Sequence, residues 1–320
     1  RHLDPAVQPE AKAQIVREVL ERLGGLSDVE VVAGLPGPSD GYRTTVRCAV
    51  ANGRAGYRRR QAHDIVAAAE CPVVHPLLRD LIVDGRYGDA TEVVLRCSVS
   101  TGERLAAVWP TASGVSVPDD VRVVGGDELD AGRRVWLHET VAGRRFRVSA
   151  QSFFQSGVAA AELLVDAVGR AVATAPAGPV ADLYAGVGLF SATVLADRQV
   201  VAVERNRAAV ADARVNLGGM DARIVRSAVE RWRPSAGLVA VVADPARTGL
   251  GRDGVAAILQ VSPELVALVS CDPGSLARDA GLLCAAGYGL GTVEVVDCFP
   301  RTSHVETVST FVAPLRQPMP

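Results

Sequence analysis

The sequence predicts an α/β protein in which a doubly wound, mostly parallel sheet follows a smaller, antiparallel β-rich domain. Two observations predict this fold class. After Gln151, short apolar runs alternate with helical stretches, a pattern typical of parallel strands joined by crossover helices. Between Tyr42 and Ala150, short strand-like segments are instead separated by glycine-containing turns, as in antiparallel hairpins. We therefore expect two structural parts with different strand arrangements.

The first 41 residues are expected to form an N-terminal helix and a linker. Apolar side chains recur at helical spacing between residues 6 and 23, and Gly24-Gly25 ends this helix. The segment AGLPGPSDG, residues 33–41, predicts a turn-rich linker. The β-rich domain then covers residues 42–150, with hairpin turns predicted at Asn52-Gly53, Thr101-Gly102 and Ala142-Gly143.

Residues 151–320 are expected to form the α/β domain that carries the chemistry. A helix of small and apolar residues is predicted at 158–174, before Pro176. Six strands are predicted from the apolar runs at 179–183, 199–203, 222–226, 238–243, 265–270 and 290–296. In sheets of this kind, functional side chains collect at the carboxyl ends of the strands.

The composition is that of an ordinary globular protein and excludes several classes. The chain is 48% hydrophobic and 22% charged, and its formal net charge of −2 gives no bulk attraction to nucleic acid, so RNA binding would need a local basic patch. No apolar run approaches the roughly 18 residues of a membrane span, and no signal peptide opens the sequence. The six cysteines lack paired-ligand spacing, which favours a reduced, cytoplasmic protein without a metal site.

A glycine loop between a strand and a helix indicates a cofactor site. In VADLYAGVGLFSATVLA, residues 180–196, Gly186 and Gly188 allow the backbone to approach a ligand closely. Glu204 ends the next apolar run, where a carboxylate suits hydrogen bonding to ribose hydroxyls. Both nicotinamide and S-adenosylmethionine enzymes use such an arrangement.

Two residues favour S-adenosylmethionine over a nicotinamide. Asp182 ends the strand before the loop, where its charge would repel a pyrophosphate and attract a cationic amine. Ser191 stands where the dinucleotide fingerprint has its third glycine. We therefore expect S-adenosylmethionine as the cofactor, with a glycine turn beside a solvated acid as the alternative interpretation.

A cysteine lies where another buried strand gives way to a helix. In VSCDPGSLARD, residues 269–279, Cys271 follows the strand, and Ser275 is the predicted cap of a helix that begins at Leu276. This position suits a nucleophile because a helix start stabilises a thiolate, although the neighbouring Asp272 opposes it. A buried cysteine also commonly serves as a small apolar side chain, so the position alone leaves both interpretations open.

Five motifs together resemble one family, the RNA (uracil-5)-methyltransferases, which make 5-methyluridine in tRNA and 23S rRNA. The motifs are SFFQ at 152–155, DLYAGVGLFS at 182–191, DPARTGL at 244–250, SCDPGSLARD at 270–279 and FPRTSHVET at 299–307. They occur in the family's order and span the second half of the chain. The resemblance implies the class I methyltransferase form of the Rossmann-like fold, with RNA as the partner.

The resemblance also implies roles for individual residues. Cys271 would be the nucleophile and Glu306 the general base. Phe153 would stack on the target uracil, which would also lie near Asp244. The methyl-donor site implied by the resemblance, together with the loop glycines, comprises Gln155, Tyr184, Gly186, Gly188, Glu204 and Asp244. The sequence departs from the family's usual residues with Asp272 and Leu189 in place of asparagine and Ala246 in place of proline. It also has Gln155-Ser156-Gly157 where the family often has Gln-Val-Asn.

Some members of the family carry a four-cysteine iron–sulfur cluster. The segment ECPVVHPLL, residues 70–78, resembles the part of those proteins that holds the fourth cysteine, here Cys71. Because a [4Fe–4S] cluster needs four thiolates, this chain alone is not expected to hold one. An inert Cys71 beside a proline is the alternative interpretation.

An arginine-rich hairpin is the candidate RNA-contact surface. Alternation predicts Arg43 and Arg47 on one face of a strand, and a second group on one face of the return strand, namely Arg54, Arg58 and Arg60. These side chains either contact RNA phosphates or form an ordinary solvated sheet face. A second candidate group comprises Arg133, Arg134, Arg144, Arg145 and Arg147. We expect a monomer that binds tRNA or rRNA, with two alternatives: a methyltransferase for another base or a small molecule, and a catalytically weak RNA-binding homologue.

Overall fold

The computed structural model describes residues 4–58, 65–66, 71–235 and 237–314. The chain divides into two compact units. The first, which we call the sheet unit, combines Arg1–Gly37 with Glu162–Pro320, and the second, the β-rich unit, is Pro38–Ala161. The beginning of the chain therefore belongs to the same unit as its second half.

The N-terminal segment adds one helix and one strand to the sheet unit. Helix α1 (Gln8–Gly24) ends at Gly25, whose φ of 65° permits its N–H to bond the carbonyl of Leu20. Strand β1 (Val31–Ala33) pairs in parallel with a strand near the other end of the chain. One face of α1 is buried through Ala13, Val16 and Leu20. The helix is thus part of the core of the sheet unit.

Among the described residues, ten strands, two short α-helices and one 3-10 helix (Pro76–Leu78) lie wholly within the β-rich unit. The strands are β2 (Thr45–Ala51), β3 (Arg54–Arg58), β4 (Ile65–Val66), β5 (Arg86–Tyr87), β6 (Glu92–Cys97), β7 (Arg104–Trp109), β8 (Val115–Ser116), β9 (Val121–Gly125), β10 (Trp136–Val141) and β11 (Arg144–Ser149). The helices are α2 (Arg79–Val83) and α3 (Gly126–Asp130). Six of the strands form one sheet in the order β4-β3-β2-β6-β7-β9, antiparallel except between β7 and β9. The predicted antiparallel domain is confirmed.

Two of the predicted hairpin turns show the backbone that their sequences favour. Asn52 and Gly53 both have positive φ, at 50° and 71°, between β2 and β3. Ala142 and Gly143 do the same between β10 and β11, at 48° and 72°. Positive φ at both central residues gives a turn that matches the strand twist. The third predicted turn, at Thr101-Gly102, lies between β6 and β7.

The second half of the chain builds most of the eight-stranded sheet of the sheet unit. Its strands are β12 (Val180–Leu183), β13 (Val200–Glu204), β14 (Ala222–Arg226), β15 (Ala240–Ala243), β16 (Leu265–Ser270), β17 (Gly289–Val296) and β18 (Glu306–Val312). Its helices are α4 (Val158–Val172), which begins in the β-rich unit, α5 (Leu189–Ala192), α6 (Arg207–Asn216), α7 (Gly251–Val261) and α8 (Pro273–Ala285). All six predicted strands are present, and β1 and β18 are additional to them.

The strand order of this sheet is β1-β17-β18-β16-β15-β12-β13-β14. Every described pair is parallel except those made by β18, which runs antiparallel to both β16 and β17. Strands β12, β15 and β16 are buried along their whole length, as expected for central parallel strands with near-continuous apolar sequences. The predicted doubly wound fold is confirmed. No helix in the described ranges is long and apolar enough to cross a lipid bilayer.

Candidate active site

The strand order brings three predicted site residues to one edge of the sheet. Ser270, the last residue of β16, pairs with Thr307 of the antiparallel β18. Cys271 follows β16 directly and Glu306 begins β18, so the pairing sets both at the same end of adjacent strands. Asp244 follows β15, which runs parallel to β16 on its other side. The Cys271 thiol and the carboxyl groups of Asp244 and Glu306, which lie up to 62 positions apart in the sequence, thus converge.

The turn after Cys271 differs from its prediction. Helix α8 begins at Pro273, and its N-cap is Asp272, whose carboxylate accepts the N–H of Ser275 at 2.8 Å. The predicted start at Leu276 with Ser275 as the cap is wrong, because proline is favoured at the first helical position and an aspartate before it satisfies a free amide. Asparagine caps helices equally well, so Asp272 preserves this turn where the family usually has asparagine.

The Cys271 thiol is half-buried, and its surroundings act on its pKa in opposite directions. Burial raises the pKa of the thiol, and the negative charges of Glu306 and Asp244 raise it further. The Arg247 guanidinium hydrogen-bonds the thiol and lowers its pKa. Arg247 is thus a cationic group that stabilises the thiolate form.

Sequence reasoning assigned no role to Arg247, although it lies in the motif DPARTGL. Its Nη2 atom is 3.2 Å from Nδ1 of His304, a residue of the motif FPRTSHVET. The guanidinium therefore links the thiol to the segment that leads into Glu306. The sequence does contain an indication of this role, because Arg247 is the cationic residue of a motif that directly follows the end of a strand.

Replacing Arg247 by methionine is expected to raise the pKa of the Cys271 thiol further. Below that pKa the thiolate fraction falls about tenfold for each unit, so alkylation of Cys271 by iodoacetamide at pH 8 should slow by about three- to tenfold. The rate is measured by mass spectrometry on the tryptic peptide that contains Cys271. Arg252→Met, an exposed arginine of α7, is the control and should leave the rate unchanged. An unchanged rate in Arg247→Met would show that the guanidinium does not act on the thiol.

The two carboxyl groups of the site are held toward their protonated forms. Glu306 is buried, which raises its pKa well above the ordinary value; Asp244 adds to this and Arg247 opposes it. Burial, followed by the charge of Asp182, raises the pKa of Asp244 to about 7. A raised pKa brings a carboxyl group closer to the working pH, where it can exchange protons with a bound substrate, as general acid–base chemistry requires.

Helix α8 fixes the loop after Asp244. Three of its side chains bond backbone groups of this loop: Ser275 Oγ donates to the Arg247 carbonyl (2.7 Å), Arg278 Nη2 donates to the Thr248 carbonyl (2.6 Å), and the Asp279 carboxylate accepts the N–H groups of Leu250 (2.7 Å) and Gly251 (3.1 Å). Gly249 has a φ of 72°, and a Cβ there would lie 2.2 Å from Asp279 Oδ2. The motifs DPARTGL and SCDPGSLARD therefore form one hydrogen-bonded structure.

The glycine loop after β12 is open to a ligand. Gly186 has a φ of 56°, and a Cβ built on it meets no atom within 4 Å. Its N–H donates to Glu204 Oε2 at 3.0 Å, while Oε1 accepts the N–H of Asn206 at 2.6 Å. Gly188 follows with a φ of 90°. The loop and the acid at the end of β13 are thus joined directly by a hydrogen bond.

Asp182 is buried with one oxygen that lacks a partner. Its Oδ2 accepts both the N–H (3.1 Å) and the Oγ hydroxyl (2.6 Å) of Ser191, whereas Oδ1 has no hydrogen-bond partner among the described residues. Burial raises the pKa of Asp182 to about 6. Beside it, Tyr184 has a φ of 60°, and its hydroxyl lies 3.3 Å from Glu230. An unpartnered carboxylate oxygen at this position fits a cationic or hydrogen-bond-donating group of a ligand.

Two predicted site residues belong to the β-rich unit. Phe153 is 72% exposed, an unusual state for a phenylalanine, and Gln155 is buried. The buried guanidinium of Arg96 donates to the carbonyls of Ser149 (3.0 Å) and Ser152 (2.9 Å) and so fixes the start of this segment. The segment therefore presents Phe153 on a rigid base.

The predicted arginine surface is divided by the structure. Arg43 is partly buried before β2, where it forms an isolated bridge with Val74. Arg47 on β2 is exposed and pairs with Glu92 at 2.6 Å. Arg58, at the end of β3, is exposed on the same side of the strand as Arg54. Arg60 lies outside the described residues. In the second group, Arg133 pairs with Glu128, and Arg147 stacks over Trp136 with 5.0 Å to the ring centroid.

Within the described residues, no group of three or more His, Cys, Asp or Glu side chains is arranged to hold a metal ion. These residues include all six cysteines, each of which is a free thiol. Cys71, the residue that matches a possible cluster ligand, is partly buried and hydrogen-bonds the Tyr57 hydroxyl.

Comparison with known proteins gives relatives along nearly the whole chain. No protein-family model matches. A Streptomyces avermitilis protein named as an uncharacterized RNA methyltransferase is 33% identical over 342 residues, which covers 97% of this chain and 78% of the relative. A second, from Streptomyces coelicolor, is 34% identical over 342 residues, covering 97% and 74%. The structure is also similar to that of the Pyrococcus abyssi tRNA (uracil-54, C5)-methyltransferase in complex with S-adenosyl-L-homocysteine, with a TM-score of 0.74, 24% identity, and coverage of 95% of this chain and 84% of that one. At this identity the structural likeness shows the fold.

Proposed function

The chain belongs to the RNA methyltransferase family, and from that premise we propose that it methylates carbon 5 of a uridine in RNA through a covalent cysteine adduct. The product would be 5-methyluridine and the methyl donor S-adenosylmethionine. The observation that carries the proposal is the convergence of Cys271, Glu306 and Asp244 at one edge of the sheet. Methylation of carbon 5 needs a nucleophile and a separate proton acceptor. A methyltransferase that acts on a more nucleophilic atom needs neither a covalent nucleophile nor this second group.

The chemistry follows from the low reactivity of carbon 5 of uracil. When the Cys271 thiolate adds to carbon 6, a sulfur–carbon bond forms and the electrons of the ring double bond move toward the carbonyl oxygen. Carbon 5 then becomes nucleophilic enough to accept a methyl group. Removal of the carbon 5 proton by Glu306 restores the double bond and expels the thiolate. The target base must leave its stack to reach these side chains.

Arg247 and Asp244 have supporting roles in this reaction. Arg247 hydrogen-bonds the thiol and therefore favours the thiolate before addition and after elimination. Asp244 has a pKa of about 7, so near neutral pH it can either donate a hydrogen bond to the uracil or accept one. The family resemblance also implies Asp244 in the donor site, so the methyl donor and the target base would both contact this side chain.

The residues of the glycine loop fit S-adenosylmethionine. The unpartnered Oδ1 of Asp182 suits the donor's cationic amine, and Glu204, already fixed by two backbone amides, suits the ribose hydroxyls. When bound, the donor supplies a methyl group on a positively charged sulfur. Gly186 leaves room for the donor to contact the loop backbone, and Gly188 supplies the positive φ that the loop needs. The Tyr184 hydroxyl lies 3.3 Å from Glu230. Gln155 is a further donor-site residue that the family resemblance implies.

Transfer to carbon 5 can be tested directly. Unmodified RNA that carries tritium at carbon 5 of uridine is incubated with the protein and S-adenosylmethionine, and tritium release to water is measured beside methyl incorporation. Equal release and incorporation would support the proposal. Methyl incorporation without tritium release would indicate another atom or base, and RNA binding without incorporation would indicate a catalytically weak homologue.

Glu204→Ala is expected to weaken binding of S-adenosylhomocysteine by about 1–3 kcal/mol, because hydrogen bonds from the ribose hydroxyls to a carboxylate are lost. Isothermal titration calorimetry measures the change. Glu294→Gln, on β17 at the other side of the sheet, is the matched control and should bind as the wild type does. Binding of NADH together with no response to S-adenosylhomocysteine would contradict the donor assignment.

The double variant Arg43→Ala, Arg58→Ala is expected to weaken RNA binding and flatten its salt dependence. Loss of two phosphate contacts should reduce the slope of log K against log salt by about 1.4–1.8. Donor affinity should hardly change. Arg17→Ala, an arginine of α1 that pairs with Glu10, is the control for lost positive charge. Equal RNA affinity and slope in the double variant would show that these two arginines do not contact RNA phosphates.

A further inference from the structure

The one lysine of the chain is buried beneath the segment that leads into Glu306. Lys12 lies on α1 and is 4% exposed. Its Nζ atom donates to Asp297 Oδ1 at 2.7 Å and to the carbonyl of Phe299 at 2.9 Å. A buried ammonium is costly unless such partners compensate for its lost hydration, and removing one partner is strongly destabilising. These contacts therefore hold α1 firmly to the segment after β17.

We call residues 297–305, between β17 and β18, the base loop. Asp297 also accepts the N–H of Gly37 through Oδ2 at 3.2 Å. Gln8, one helical turn before Lys12, accepts the N–H of Arg301 at 2.7 Å, and Arg301 has the strained φ of 61°. Helix α1 thus holds the base loop at its start and at its middle.

The other end of the base loop reaches the reactive groups. His304 contacts the Arg247 guanidinium, and its ring packs against Phe299 at 5.9 Å between centroids. The loop ends where Glu306 begins β18. Sheet pairing holds Glu306 on its C-terminal side, while on its N-terminal side the chain is held by the base loop. Cys271, in contrast, is placed by β16 and by the capped start of α8.

We propose that Lys12, with Gln8, is a positioning residue for proton abstraction. By fixing the base loop it holds the Glu306 carboxyl where it takes the carbon 5 proton. The Cys271 thiol is placed by β16 and α8 and is linked to this loop through the contact between His304 and Arg247, so its addition depends less on Lys12. This inference rests on the proposed function. Loosening the loop should therefore slow elimination more than addition or methyl transfer, and methylated RNA should remain attached to the protein.

The test compares Lys12→Met with the wild type and with Glu306→Gln. In Lys12→Met, single-turnover methyl transfer to RNA is expected to stay within about twofold of the wild type, while multiple turnover falls about tenfold, since a small misplacement of a reacting group has effects of this size. Covalent protein–RNA complex should accumulate on denaturing electrophoresis, as in Glu306→Gln. If Lys12→Met does not fold, Gln8→Leu takes its place, because it removes the bond to the Arg301 amide without leaving a buried charge. Gln8→Leu should accumulate the same covalent protein–RNA complex.

Arg170→Met is the matched control, because it removes a different ion pair, the one between Arg170 and Glu294 at 2.6 Å. Glu294 lies on β17 and outside the base loop. In this control, methyl transfer, multiple turnover and the amount of covalent complex should all equal those of the wild type. Equal slowing of both phases without accumulated complex, in Lys12→Met and Gln8→Leu alike, would overturn the inference and leave a structural role. If Glu306→Gln itself accumulates no complex while the wild type methylates carbon 5, the base assignment fails and this inference fails with it.

Discussion

Cys271→Ala is expected to lose methyl transfer entirely and to form no covalent complex with RNA, whereas Glu306→Gln is expected to accumulate such a complex. The two residues lie at adjacent strand ends but act at opposite ends of the reaction. Without the thiol, carbon 5 never becomes nucleophilic. Without the carboxylate, addition and methyl transfer can proceed and elimination cannot. The variants should therefore fail in different ways.

The measurement is denaturing electrophoresis of each variant after incubation with RNA and S-adenosylmethionine, with turnover followed in parallel. Loss of a general base lowers turnover by about 10²- to 10⁴-fold, so Glu306→Gln should complete less than one cycle in the time that the wild type completes many. RNA containing 5-fluorouridine should trap the wild type in the same way, because fluorine cannot be removed as a proton. Cys284→Ala, a half-buried cysteine of α8, is the matched control and should behave as the wild type does.

Methyl transfer by Cys271→Ala would remove the nucleophile assignment. An alternative thiol affected by the same charges is Cys298, whose pKa is raised well above its usual value by burial and then by Glu306 and Asp244. It is 1% exposed, which makes it a poor nucleophile toward a base that enters from outside. Activity of Cys271→Ala together with inactivity of Cys298→Ala would nevertheless move the assignment there.

The strands of the parallel sheet could be predicted from the sequence because buried parallel strands have continuous apolar sequences. Strand β18 could not be predicted in this way. Its sequence, ETVSTFV, includes Thr307 and Ser309, which are buried although polar. Thr307 Oγ1 compensates by donating to the carbonyl of Ser270 at 3.2 Å, a partner 37 residues away. A local pattern does not contain such a partner, so the register that brings Glu306 beside Cys271 became visible only in the structure.

The place of α1 was equally hidden from local patterns. Its helical spacing and its glycine end predicted the element itself, which runs over Gln8–Gly24. Its partners, α8 and the base loop, lie more than 240 residues further along the chain. Lys12 would be expected on a solvated helix face, and its burial follows from Asp297, which carries no signal of its own in the sequence. Arg247 differs, because its motif was recognised and only its contact with the thiol was missing.

Asp244→Asn is expected to stabilise the folded protein above neutral pH while it impairs activity. Burial raises the folded-state pKa of Asp244 to about 7, against about 3.9 in an unfolded chain. Between these values the folded state binds more protons than the unfolded state, so the contribution of this residue to stability falls as pH rises from about 4 to 7. Above pH 7 the carboxylate disfavours folding by about 2–4 kcal/mol, and an uncharged amide of the same shape removes that effect.

The free energy of unfolding in urea, measured at pH 5 and pH 8, tests this sign. The gain of Asp244→Asn over the wild type should be larger at pH 8 than at pH 5, because at pH 5 the folded wild type still carries the proton.

Asp182→Asn, whose folded-state pKa of about 6 gives a narrower window, should gain less. Asp221→Asn, at an exposed position, controls for the loss of a carboxylate and should gain equally little at both pH values. A gain for Asp244→Asn that is independent of pH would show that this carboxyl group titrates normally. Retention of a carboxyl group that destabilises the fold above pH 7 is instead what the proposed role of Asp244 requires, since a group that titrates near neutral pH can donate a hydrogen bond to the uracil or accept one.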